Sequence, residues 1–195
     1  MKKTIALTLA LTLLLLSIWM LPSCGAKHPI VKFAEKMEKA DSYQIAVTMS
    51  DIPLLGTMTV TTMVDGNIEY TPAVLFDSEK YVETVGDVQY TYTKNDDGKW
   101  KKTEETVEED SSSVTSDESM AEFFNPDNYE KVKDEENTYK QKKDVVFDNF
   151  SDVVMTIGEN TCIIEMTATS DGMTFKTKIV ISKIGEVDLT LPQVD

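Results

Sequence analysis

Residues 161–182 read TCIIEMTATSDGMTFKTKIVIS. Cys162, Ile164, Met166 and Ala168 fall on alternate positions, Ser170-Asp171-Gly172 carries turn chemistry, and Phe175, Thr177, Ile179 and Ile181 resume the alternation. A period of two on either side of a glycine turn marks an antiparallel hairpin with one apolar face.

The same period recurs along most of the chain. Tyr43, Ile45, Val47 and Met49 alternate with Ser42, Gln44, Ala46 and Thr48; Met58, Val60 and Val64 share a face opposite Thr57, Thr59 and Thr61. Val88, Tyr90 and Tyr92 alternate with Gln89, Thr91 and Thr93, and Val187, Leu189 and Leu191 close the chain. Turns at Asp65-Gly66-Asn67, Val85-Gly86-Asp87, Asn95-Asp96-Asp97-Gly98 and Asp134-Glu135-Glu136-Asn137 separate these runs. Eleven strands are expected, near 42–50, 56–64, 67–77, 80–86, 87–94, 98–104, 128–133, 138–143, 161–169, 172–182 and 185–191. Such short connections predict a mainly β (α+β) fold built on one large antiparallel meander, polar on one face and apolar on the other.

Helical periodicity is confined to short stretches. Ile30, Phe33, Ala34 and Met37 recur at i, i+3, i+4 and i+7 behind Pro29, which suits a first helical turn, and the stripe ends near Ala40. Residues 103–119 are acidic and serine-rich and read as a solvated loop. The loop leads into a short helix bearing Met120, Phe123 and Phe124, capped by Ser116 or Asp117 and stopped at Asn125-Pro126. Phe150, Val153, Val154 and Ile157 share a helical face over 148–157, although the same residues also fit a strand.

The N-terminus has another purpose. Lys2 and Lys3 precede an apolar run from Ile5 to Leu21, then Pro22, Ser23 and Cys24. That layout is a secretory signal over residues 1–23. The run is about 17 residues, short of the roughly 20 that span a bilayer, so an uncleaved anchor is the lesser reading. Both put the remainder outside the cytoplasm.

Leu21-Pro22-Ser23-Cys24-Gly25 resembles the lipobox of bacterial lipoproteins, which implies a diacylglyceryl group on Cys24 and cleavage before it. Residues 24–29 would then be a lipidated tether and 30–195 the domain, held at the cell membrane by its acyl chains.

Of 19 cations, all lysine, two lie in the signal, and all 34 acids follow it, so the remainder carries −17. Without arginine and with this acid excess, nucleic acid and anionic membrane surfaces are poor partners. Cys162 has no internal partner if Cys24 is acylated, and it reads as a small buried apolar residue.

Catalytic residues are not expected. The only histidine, His28, lies in the tether, out of reach of the sheet, so a Ser-His or Cys-His pair lacks its base. Cys/His spacing gives no zinc site, and Asn95–Gly98 lacks the spaced carboxylates of a calcium loop. Glu104, Glu105, Glu108, Glu109 and Asp110 read as solvated loop, not as a metal site, and no cofactor is implied.

The order of lipidated cysteine, short helix, long meander, helical interruption and closing hairpin resembles the LolA/LolB-like (LppX/LprG-like) half-barrel lipoproteins. Gly86–Tyr92 through Asp97-Gly98-Lys99-Trp100-Lys101, and Ile181–Pro192, carry that resemblance. It implies an open half-barrel whose concave face is covered by short helices and binds acyl chains between them. An arginine that holds the lid shut in that family's periplasmic chaperones has no counterpart here, which favours a fixed lipid-binding role over a shuttle.

The function expected is therefore a non-catalytic, anchored lipoprotein binding a lipid or other amphiphile. The alternative is an envelope-displayed interaction or scaffold module with a self-filled core. Eight methionines and only five leucines follow the signal, and methionine suits adaptable apolar surfaces as well as irregular cores. Met58, Val60, Tyr90, Tyr92, Phe123, Phe124, Ile164 and Met166 are the expected cavity lining, and Trp100 the expected fluorescent reporter.

Overall fold

In the computed structural model, residues 27–52, 55–74, 77–106, 124–170 and 172–194 are described. Helix α1 spans Pro29–Glu38. The strands are β1 (Ser42–Ile52), β2 (Gly56–Asp65), β3 (Ile68–Thr71), β4 (Lys80–Val85), β5 (Val88–Lys94), β6 (Trp100–Thr106), β7 (Tyr129–Lys131), β8 (Thr138–Gln141), β9 (Phe150–Ile157), β10 (Cys162–Ser170) and β11 (Met173–Ser182). They form one antiparallel sheet ordered β6-β5-β4-β3-β2-β1-β11-β10-β9-β8-β7. The chain runs outward from β1 to β6, then returns from the far edge, β7 to β11, so that β11 closes against β1. The sheet is open, with β6 and β7 as its edges.

Local chemistry sets α1. His28 Nδ1 accepts from the Ile30 backbone N–H at 3.3 Å and Pro29 occupies the first turn. The apolar stripe Ile30, Phe33, Ala34 and Met37 is buried on the sheet. Lys27 Nζ meets the Glu35 carboxylate at 2.5 and 2.7 Å in an exposed ion pair just ahead of the helix.

Register aligns the core in rows. Ile45 faces Ile181, which faces Cys162 and then Ile157; Val47 faces Ile179, which faces Ile164 and then Met155. These side chains share the face covered by α1 and pack with Phe124, Tyr129 and Tyr139.

Three expectations are corrected. Residues 150–157 are a strand, not a helix. A bulge between Glu165 and Thr167 of β10, with Asp152 at φ 55, inserts an extra residue in β9. Phe150 and Val153 thereby reach the same face three positions apart, imitating helical spacing. Residues 185–191 form no ladder strand, because β11 already lies between β1 and β10 and offers no free edge. That tail instead donates Gly185 N–H to Ser42 O, Val187 N–H to Ser42 Oγ and Leu189 N–H to an Asp65 carboxylate oxygen. The strand expected over 67–77 stops at Thr71, since Pro72 has no N–H for the ladder.

The acidic loop begins later than 103, for Thr103–Thr106 pair with β5 as part of β6. The rest of that loop, Phe123 and Cys24 lie outside the described residues. Among the described residues one α-helix covers the sheet, joined by a 3-10 turn at Pro126–Asn128 whose cap, Asn125 Oδ1, accepts from Asp127 N–H at 3.0 Å.

Candidate functional site

The apolar face changes sides within the sheet. From β9 to β2 it is the α1 side. Beyond β2 that side turns mostly polar: the row that starts at Val64 continues through Glu69, Thr91 and Thr103, with Val82, 6% exposed, as its one apolar member. The opposite face becomes aromatic instead. Met63, Tyr70, Tyr81, Tyr92 and Lys102 stand in one cross-strand row, with Lys94 and Trp100 in the next. The expected single greasy face is therefore two half-faces on opposite sides.

This switch divides the expected lining. Met58, Val60, Ile164 and Met166 share the α1 face; Tyr90 and Tyr92 lie on the other. Phe124 joins the core beneath α1. Ile164 and Met166 are buried at 2% and 7% exposure, within a core filled by the chain's own side chains. Met58 and Val60 are half-buried, as are their partners Met49 and Val47.

Met49, Val47, Met58 and Val60, with half-buried Phe175 and Met173 at 51% exposure, form a strip toward the β1–β2 and β10–β11 turns. It lies past the stretch that α1 covers, because α1 leads into the start of β1 and is tied to the β9–β10 turn. There Lys36 donates to Glu159 O at 2.9 Å and to Asn160 Oδ1. At the boundary between filled core and strip sits Thr177, 8% exposed, between Met49 and Met166. Its Oγ1 has no hydrogen-bond partner among the described residues.

On the opposite face the rings hold one another. Tyr70 and Tyr81 lie 4.5 Å apart between centroids, and Tyr81 meets Trp100 edge-on at 5.5 Å. Lys102 Nζ caps the Tyr90 ring at 3.6 Å, and Lys94 lies over Trp100 at 5.0 Å. Tyr92 donates to Glu83 at 2.9 Å and Tyr70 to Glu79 at 3.1 Å; the bond from Lys94 holds Glu79 below the usual carboxylate range. With lysines over the Tyr90, Tyr92 and Trp100 rings and with Tyr70 and Tyr81 against each other, this half-face packs on itself.

Elsewhere the chemistry is quiet. Burial pushes the Cys162 thiol up to about 12, so it stays protonated and unreactive. An open cleft of about 360 Å³ is lined by Pro29, Lys32, Phe33, Lys36, Asn137, Ile157, Gly158 and Glu159, away from the strip. Among the described residues no group of three His, Cys, Asp or Glu side chains is placed to hold a metal ion.

His28 is not in a free tether. Its ring lies 4.7 Å from that of buried Tyr139, and desolvation lowers its pKa against the opposing pull of Asp127. Protonation also removes the Nδ1 acceptor that caps α1 and sets a cation at a helix N-terminus. A histidine held neutral by folding contributes stability fully above its unfolded pKa, near 6.5, and loses it as pH falls through the lowered folded value. Melting temperature is therefore expected to drop more between pH 7 and pH 5 in the wild type than in His28→Asn, which keeps a cap acceptor. Equal slopes would contradict this role.

No protein-family profile matches the chain, and no curated protein is similar to it at a significant level.

Proposed function

We propose that this chain is a non-catalytic extracytoplasmic lipoprotein, anchored through Cys24, that holds the acyl part of an amphiphile on the half-exposed strip of its α1 face. The observation that carries this reading is the strip itself: Val47 pairs with Val60 and Met49 with Met58, Phe175 follows on the same face of β11, and all five are apolar and left partly open where the core ends. An apolar chain laid there removes apolar surface from water at about 25 cal/mol per Å². Methionine side chains accommodate a flexible occupant without a fixed shape. A curl of the open sheet into a half-barrel would deepen the strip into a trough.

The anchor adds a constraint. Lys27 already pairs with Glu35 of α1, so an acylated Cys24 leaves only Gly25 and Ala26, a reach of about 10 Å, between itself and the domain. The α1 end would rest against the bilayer surface. The filled core around Ile164 and Met155, 2% and 0% exposed, favours the second reading, a displayed interaction module that takes no ligand.

Native mass spectrometry of the full chain separates them. The wild type is expected to carry co-purified acyl lipid. Val60→Asp should lose it while Thr59→Asp, on the opposite face of the same strand, keeps it. A bare wild-type mass would favour the interaction module.

A further inference from the structure

We infer that Thr177 is the polar anchor of this strip and that the amphiphile it takes is a neutral acyl ester, not a fatty-acid anion or a phosphate. The inference rests on the lipid-binding reading and specifies its ligand.

Thr177 lies on the α1 face in the row Met49–Thr177–Met166, and its neighbours along β11 on that face are Phe175 and Ile179. All four are apolar. Within this patch the Thr177 hydroxyl is the one side-chain hydrogen-bonding group; the residue is 8% exposed, and its Oγ1 is buried with no partner among the described residues. A buried hydroxyl without a partner is costly. A sheet has no need of the hydroxyl here, since valine has nearly the same shape and also favours strands. The hydroxyl is therefore explained by an occupant that accepts its hydrogen bond.

Charge selects that occupant. Lys176 and Lys178 alternate to the opposite face, where Lys178 pairs with Glu165 at 3.0 Å. A carboxylate or phosphate brought to Thr177 would lose its water with no cation among these neighbours. An ester carbonyl requires one donor, which the hydroxyl supplies, and its acyl chain continues over Met49, Met58 and Val60.

The test titrates full-length protein with monomyristoylglycerol, myristate and tetradecane, read by native mass spectrometry. Wild type should bind the ester at least roughly tenfold more tightly than myristate. Thr177→Val should weaken the ester roughly fivefold to tenfold, the worth of one neutral hydrogen bond, and leave tetradecane unchanged. Thr177→Ser, which restores the donor, should stay within about twofold of wild type. Tight ester binding unaltered in Thr177→Val, or a preference for myristate, would overturn this inference alone. Failure of all three probes to bind wild type would overturn both it and the lipid-binding reading.

Discussion

Cells expressing Cys24→Ala are expected to yield protein with no incorporated radioactive palmitate, whereas the wild type is labelled and has lost residues 1–23. The effect is all-or-none because the thiol is the point of attachment, and a serine- or alanine-like side chain offers no sulfur for the diacylglyceryl transfer that the lipobox resemblance implies. Two acyl chains at about 0.8 kcal/mol per buried methylene give firm attachment where one gives only marginal binding. A labelled variant would show that Cys24 is not the point of attachment, and an unlabelled wild type that retains its first 23 residues would favour an uncleaved apolar anchor instead.

The second large effect separates core from strip. Ile164→Ala should cost about 2–5 kcal/mol, the transfer term plus a cavity that the sheet and α1 cannot close. Ile164 is 2% exposed and faces Ile179 and Met155 across both neighbouring strands. Against a total stability of about 5–15 kcal/mol, that leaves a marginal domain. Met58→Ala should cost under about 1.5 kcal/mol, because a half-exposed side chain gives up only part of its transfer energy. Urea unfolding of both variants checks the contrast. Equal costs would mean that Met58 belongs to the packed core and that the strip is not a binding surface.

Most of the sheet was legible because a period of two survives any tertiary arrangement, and the turns at Gly66, Gly86, Gly98 and Gly172 all have positive φ, as their glycines allow. Three things were hidden. The bulge at Asp152 made β9 look helical. The tail after Ser182 alternates like a strand, but whether it pairs depends on which edge is free, a property of the whole topology. Alternation also tells which residues share a face without telling which face is covered. Tyr90 and Tyr92 do stand together, yet register through β2, β3 and β4 puts them opposite Met58 and Val60. Trp100 shares their side, so its fluorescence reports on the aromatic half-face; Phe175→Trp would be a better-placed reporter for the strip. The hydroxyl of Thr177 was visible in the sequence as a polar residue on an apolar face, but its lack of a partner was not.

Hydrogen exchange of the full chain with and without monomyristoylglycerol tests the central claim most directly. Slowed exchange confined to residues 46–50, 57–61 and 173–178 is the result this account predicts. Protection centred on β3–β6 and its tyrosines, or no change anywhere, would contradict it.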